Sequence, residues 1–315
     1  MTTIIRSTFP LGAVLLVAAG LTALTISAQP AASKQLIAHR GASGYAPEHT
    51  AAAYKLAMDQ KADFVEPDLA VSKDNVLFCM HDDTLERTTN VAEVFPTRPS
   101  EGYQTRQPGK HWLANDFTMA EIKRLDAGKW FKPEFAGQRI QTFQEAIDLV
   151  RGKAGLYPEL KSPELYRSRN VDQVKLFVEI IRKNGLEKPE SLKTTPVIIQ
   201  SFDEVTIKAL ATSLPKVPRV WLVEPRDIAR LDSPAKLKEI AGWASGIAPN
   251  KAIITAKPEI VSAAHEAGLT VTLWTFRSAA VGAGFSSVRD EMAAFLYTIG
   301  VDAVFTDNPD QFPRR

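Results

Sequence analysis

Short apolar runs alternate with longer stretches of helical spacing along almost the whole chain, and most of the runs end in polar or charged residues. Leu36-Ile37-Ala38 reads as a buried strand that stops at His39-Arg40-Gly41, where Gly41 supplies the backbone freedom to leave a strand sharply. Thr50, just after Pro47, is placed to cap a helix over Ala51 to Met58. A second strand covers Asp63 to Val71, the turn residues Ser72-Lys73-Asp74-Asn75 follow, and a third apolar run, Val76 to Met80, ends at His81. A helix near Phe143 to Val150 leads to a strand over Ala154 to Lys161. Further strands are predicted at Val197 to Gln200, Arg219 to Val223, Gly246 to Ala248, Thr270 to Trp274 and Ala303 to Thr306, with helical patterns between them.

Alternating strands and helices predict parallel strands. The pattern implies an α/β fold of the (β/α)8 TIM-type barrel class, with a small insertion between the third and fourth strands at about 83–141, where Pro96, Pro99, Gly102, Pro108, Gly109, Gly128, Pro133 and Gly137 punctuate the chain. One short helix is expected there, over Met119 to Leu125. Nine candidate strands are one more than a barrel needs, so either one arm of the hairpin around Lys73 or the last run is supernumerary. A doubly wound sheet is the competing architecture, but it would not gather residues from so many strands at one mouth.

The chemistry sits at the strand ends. Glu66 and Asp68 lie two apart on a strand and so share a face, a costly pairing unless protons or a cation neutralise it, and the oxygen-only donors point to a hard divalent metal. Glu159 and Lys161 share a face by the same rule. If Lys73-Asp74 form a two-residue hairpin loop, cross-strand partners sum to 147 and Glu66 faces His81; a longer loop or a bulge shifts that register. Three carboxylates, two cations (Arg40 and Lys161) and two imidazoles (His39 and His81) together describe metal-assisted cleavage of an anionic phosphodiester.

His39-Arg40-Gly41, Pro47-Glu48-His49-Thr50, Glu66-Pro67-Asp68 and His81-Asp82 closely resemble the signature of the glycerophosphodiester phosphodiesterases. The resemblance continues through Pro158-Glu159-Leu160-Lys161, Gln200-Ser201-Phe202, Trp274-Thr275 and Thr306-Asp307-Asn308-Pro309-Asp310, nearly all of the chain after residue 35. His49 departs from the Asn of most members and looks like the secreted branch. The resemblance implies a (β/α)8 barrel that hydrolyses glycerophosphodiesters to glycerol 3-phosphate and an alcohol. It implies His39 and His81 as acid and base, Arg40 and Lys161 on the phosphate, and Glu66, Asp68 and Glu159 around one divalent metal, Ca²⁺ or Mg²⁺. Trp274 resembles the strand-end aromatic that lines the glycerol pocket, and Phe202 is similar but weaker. Which histidine is the acid, and whether water or a substrate hydroxyl attacks first, stay open. Two rivals also stand: an enzyme of the same fold acting on lysophospholipids, and a non-catalytic exported binder of phosphorylated polyols.

Residues 1–28 carry Arg6 as their only charge, run through Leu11 to Leu21 and end near Ser27-Ala28, the pattern of a secretory signal peptide. An uncleaved anchor is the alternative, but the apolar run is shorter than the roughly 20 residues a span needs. Export places a domain of residues 29–315 in the periplasm or medium, without stable membrane insertion after cleavage. Removing Arg6 leaves 37 of the 38 basic residues against 36 acidic ones, a balance that does not predict nucleic-acid binding. Cys79 is the single cysteine, so no intramolecular disulfide exists, and in its apolar run it reads as a small buried hydrophobe. Trp112, Trp130 and Phe131 either line the entrance or form a small core within the insertion, and His111 and His265 read as structural or solvent-facing.

Overall fold

A computed structural model describes residues 1, 33–101 and 109–315, so the expected signal peptide lies outside the described residues. Among the described residues, eight parallel strands close on themselves. The first, Gln35–Ala38, pairs with the last, Ala303–Thr306, through Gln35 to Ala303 and Ala38 to Thr306. The second runs as Phe64–Val65 and then Asp68–Val71, and the third as Gly155–Leu156 and then Glu159–Leu160. Pro67 and Pro158 make these breaks because each lacks an amide hydrogen for the ladder. Their carbonyls still accept, from Glu159 N at 3.0 Å and Gln200 N at 2.9 Å. Ile199–Ser201, Arg219–Val223, Gly246–Pro249 and Thr270–Phe276 complete the ring, each parallel to its neighbours. Closure removes the doubly wound alternative.

The supernumerary run is the hairpin arm. Leu77–Cys79 pairs antiparallel with Asp68–Val71 outside the ring. The expected register is off by one: Leu69 pairs with Cys79 and Val71 with Leu77, a sum of 148. The reason is a three-residue loop, Lys73 to Asn75, closed by Ser72 N to Val76 O at 3.0 Å, with Asn75 in the left-handed region at φ +61°. Glu66 therefore does not face His81 across the pair. Since the arm is not a barrel strand, the segment 83–141 leaves the ring between its second and third strands rather than between a third and a fourth.

Helices pack outside the strands, and the first starts at the cap expected for it. The Thr50 side chain accepts from Ala53 N at the head of Ala51–Asp59, and Thr142 with Glu145 forms a capping box for Phe143–Val150. The same box, Thr118 with Glu121, starts the short helix Met119–Ile122, which ends before the expected Leu125. Alternation along the strands divides the core. Ile37, Phe64, Tyr157, Val220, Leu222 and Phe305 fill the barrel lumen, with Tyr157 and Phe305 edge to face at 5.1 Å. Leu36, Ala38, Val65 and Leu69 face the helices. Each such Leu, Ile or Phe contributes about 1.5–3 kcal/mol by leaving water.

The insertion has a core of its own. Trp112, Phe95, Phe117, Ile122 and Leu125 pack on the outer face of the hairpin through Ala70, Phe78 and Met80. Trp112 is thus structural, while Trp130 is exposed and meets Phe131 edge to face at 5.6 Å. His111 bonds Glu86 at 2.7 Å and His265 bonds Asp302 at 2.9 Å.

Candidate active site

The second and third strands deliver the acids to one point. Asp68 and Glu159 are register partners on adjacent strands, and Glu66 stands one step before the Pro67 break. One oxygen from each of Glu66, Asp68 and Glu159 lies within 4.8 Å of the others, and all three side chains are buried. Burial and then the neighbouring Asp68 and Glu159 push the Glu66 carboxyl well above its ordinary value. Burial likewise pushes Glu159 up to about 7, against the opposing pull of Lys161. Asp68 goes the other way: burial raises it, but the His49 hydrogen bond and nearby cations hold it well below the usual carboxylate range.

The surroundings are cationic and ordered. The Arg40 backbone, at φ +58°, donates its N–H to Glu66 Oε2 at 3.1 Å, while its guanidinium reaches Glu48 at 3.1 Å and Asp68 at 3.4 Å. Gln200 Nε2 donates to Glu66 Oε1 at 2.7 Å. Lys161 Nζ pairs with Glu159 at 3.0 Å and stands 5.8 Å from the centre of the Phe202 ring. Glu48 also holds Arg87, which in turn pairs with Asp82, so a chain of ion pairs ties the Arg40 loop to the His81 loop. Burial raises Glu48, yet Arg87 and Arg40 outweigh it and bring the carboxyl down to about 2.

Both histidines carry an aspartate partner on Nδ1. His39 bonds Asp307 Oδ1 at 2.6 Å, and its Nε2 lies 3.9 Å from Glu66. His81 bonds Asp82 Oδ1 at 2.7 Å. Their exposure differs: the His39 side chain is 11% accessible and that of His81 33%. Burial first, with Arg40 next, lowers His39, and burial brings His81 down to about 4, so both imidazoles are neutral near pH 7 in the free protein. His81, Glu159 and Lys161 line one side of an open cleft of about 710 Å³. Phe202 and Trp274 form another part of its wall, edge to face at 5.5 Å, with Trp274 Nε1 tied to Ala248 O at 2.7 Å.

The structure therefore brings all the residues expected from the sequence to the barrel mouth. Asp307, Gln200, Asp82 and Glu48 join them unassigned by sequence reasoning, although each lies in a quoted motif; they meet His39, Glu66, His81 and Arg40 respectively. The donor set fits a hard divalent cation: three oxygens converge, and Asp68 Oδ1 is buried without a hydrogen-bond partner among the described residues.

Comparison with known proteins places this geometry. Residues 39–311 match the model of the glycerophosphoryl diester phosphodiesterase family. A glycerophosphodiester phosphodiesterase of Bacillus subtilis is 34% identical over 284 residues, covering 88% of this chain and 84% of that one. The crystal structure of a glycerophosphodiester phosphodiesterase from Agrobacterium tumefaciens is 29% identical with a TM-score of 0.64, over 89% of this chain and 99% of that one. A phosphodiesterase of Oleispira antarctica in complex with the product sn-glycerol-3-phosphate is 27% identical with a TM-score of 0.67, over 89% and 95% of the two chains. The chain belongs to the glycerophosphoryl diester phosphodiesterase family and is an enzyme of that class.

Proposed function

We propose, from that membership, that the chain hydrolyses glycerophosphodiesters to glycerol 3-phosphate and an alcohol with one divalent cation, Ca²⁺ or Mg²⁺, held by Glu66, Asp68 and Glu159. One observation carries the reading: a converging oxygen cluster lies beside two cations and two aspartate-oriented imidazoles at the mouth of a closed barrel. When bound, the cation would polarise a non-bridging phosphate oxygen and offset transition-state charge. Arg40 and Lys161 bind the remaining phosphate oxygens, and both stay protonated because burial is outweighed by Glu48, Asp68 and Glu159. Trp274 and Phe202 shield the glycerol side.

His39, deeper and held by Asp307, takes the proton of the attacking hydroxyl at Nε2. His81, on the open wall through which the alcohol leaves, returns a proton to the departing oxygen. A neutral His39 is already the form a base requires. His81 acquires its proton with the substrate, whose phosphodiester anion offsets the cost of charging a buried imidazole. The mostly polar insertion favours a small glycerophosphodiester over a lysophospholipid, and the two oriented imidazoles disfavour a binder.

The test is hydrolysis of glycerophosphocholine by the purified protein, in EDTA and after Ca²⁺ or Mg²⁺ is restored. Turnover should vanish in EDTA and return with the cation; turnover unaffected by EDTA would refute the metal role. Export is part of the same proposal, resting on residues 1–28. Sequencing of protein from the extracytoplasmic fraction should find a start near Gln29, and an intact Met1 on membrane-bound protein would refute it.

A further inference from the structure

The metal cluster rests on a side chain outside the set assigned so far. His49 is 3% exposed and bridges two buried groups: its Nε2 lies 3.0 Å from Asp68 Oδ2 and its Nδ1 3.0 Å from the Tyr54 hydroxyl. Tyr54 is fully buried, and its ring meets that of His49 edge to face at 6.3 Å and 78°. Tyr54 belongs to the helix that Thr50 caps, one residue after His49, so the ring is anchored to a rigid element from both sides. Asp68 Oδ2 also takes the Arg40 contact at 3.4 Å, whereas Oδ1 has no hydrogen-bond partner among the described residues and is buried. One oxygen of this carboxylate is thus held and the other is unpartnered, and the carboxylate stands in one cluster with Glu66 and Glu159.

We propose that His49 is a positioning residue of the metal site: Nε2–H fixes Asp68 Oδ2 so that Oδ1 meets the cation, and the Tyr54 hydroxyl, donating to Nδ1, fixes the ring. This rests on the metal reading above. The backbone supports the assignment, since His49 sits at φ +60°, a conformation most L-residues avoid and which Asn, Asp and His tolerate best. A side chain there must accept left-handed geometry and also present an N–H donor to a carboxylate.

Calcium titration of the full chain by calorimetry tests it, with Ca²⁺ alone as the probe. His49→Leu removes the donor at similar volume and should weaken Ca²⁺ binding about 10–100-fold, the usual cost of losing an outer partner of a metal ligand. His49→Asn keeps a side-chain N–H and tolerates the backbone, and should restore affinity to within about threefold of the parent. A merely structural role predicts instead that Asn and Leu lose affinity alike. Equal affinity of folded His49→Leu and parent, or Asn no better than Leu, would overturn the proposal. Should His49→Leu not fold by circular dichroism, Tyr54→Phe decides: an affinity at least threefold weaker is expected, and an unchanged one overturns it. A parent that binds neither Ca²⁺ nor Mg²⁺ would instead refute the metal reading itself, which separates the two failures.

Discussion

Replacing Glu159 by Gln should make the metal-free protein more stable at alkaline pH and leave it nearly unchanged at acid pH. The Glu159 carboxyl is pushed from 4.5 up to about 7, chiefly by burial, with Lys161 pulling the other way and Asp68 adding to the rise. A folded-state pKa above the unfolded one gives stability that is complete below about pH 4.5 and is lost as pH rises through 7. At about 1.4 kcal/mol per unit of pKa, the ionised group costs the folded protein about 3 kcal/mol above pH 7. Gln mimics the protonated acid, and its amide oxygen can still accept from Lys161, which pairs with Glu159 at 3.0 Å. Thermal unfolding in EDTA should therefore show Glu159→Gln and parent close together at pH 5, with the variant higher by about 5–10 °C at pH 8.5. Added Ca²⁺ should raise the parent but not the variant, since the cation repays the charge only where the carboxylate exists. A difference between the two proteins that stays constant from pH 5 to 8.5 would refute the reasoning, as would equal Ca²⁺ stabilisation.

His39→Ala and His81→Ala should each lower turnover by at least about 100-fold, the lower end for a general acid or base. With a p-nitrophenyl phosphodiester, whose leaving group needs little protonation, His81→Ala should recover in part and His39→Ala should not; recovery only in His39→Ala would reverse the roles. Because Glu66 and Glu159 hold protons above the ordinary carboxylate range, Ca²⁺ binding at pH 6 should release protons and tighten as pH rises toward 7. Calorimetry in two buffers of different ionisation heat measures that release, and none at pH 6 would contradict the raised values. Phe78→Ala should cost about 3–5 kcal/mol, because Phe78 is fully buried in the core that joins the hairpin to the insertion. Denaturant unfolding checks it, and a loss below 1 kcal/mol would deny the insertion a core of its own.

Local rules reached far in this chain. Period-two and helical spacing located the strands and the helices behind Thr50 and Thr142, because a strand end and a cap depend on a few consecutive residues. The i, i+2 rule put Glu159 beside Lys161, and the ion pair at 3.0 Å is that rule in three dimensions. Charge at successive strand ends was enough to expect one mouth, since parallel strands in a closed ring present the same end to the same side. Three matters were beyond any local rule. The hairpin register turned on whether Asn75 would adopt the left-handed conformation, a choice worth a fraction of the loop energy yet enough to move every cross-strand partner by one. Which of nine runs stood outside the ring depended on the pairing of Gln35 with Ala303, residues that only closure brings together. The proton chemistry depended on tertiary contact as well, because Asp307 reaches His39 from the opposite end of the chain and His49 meets Asp68 only through the folded loop. The residues that could do the chemistry were legible in the sequence; the partners that set their charge and direction are defined by burial and by neighbours distant along the chain.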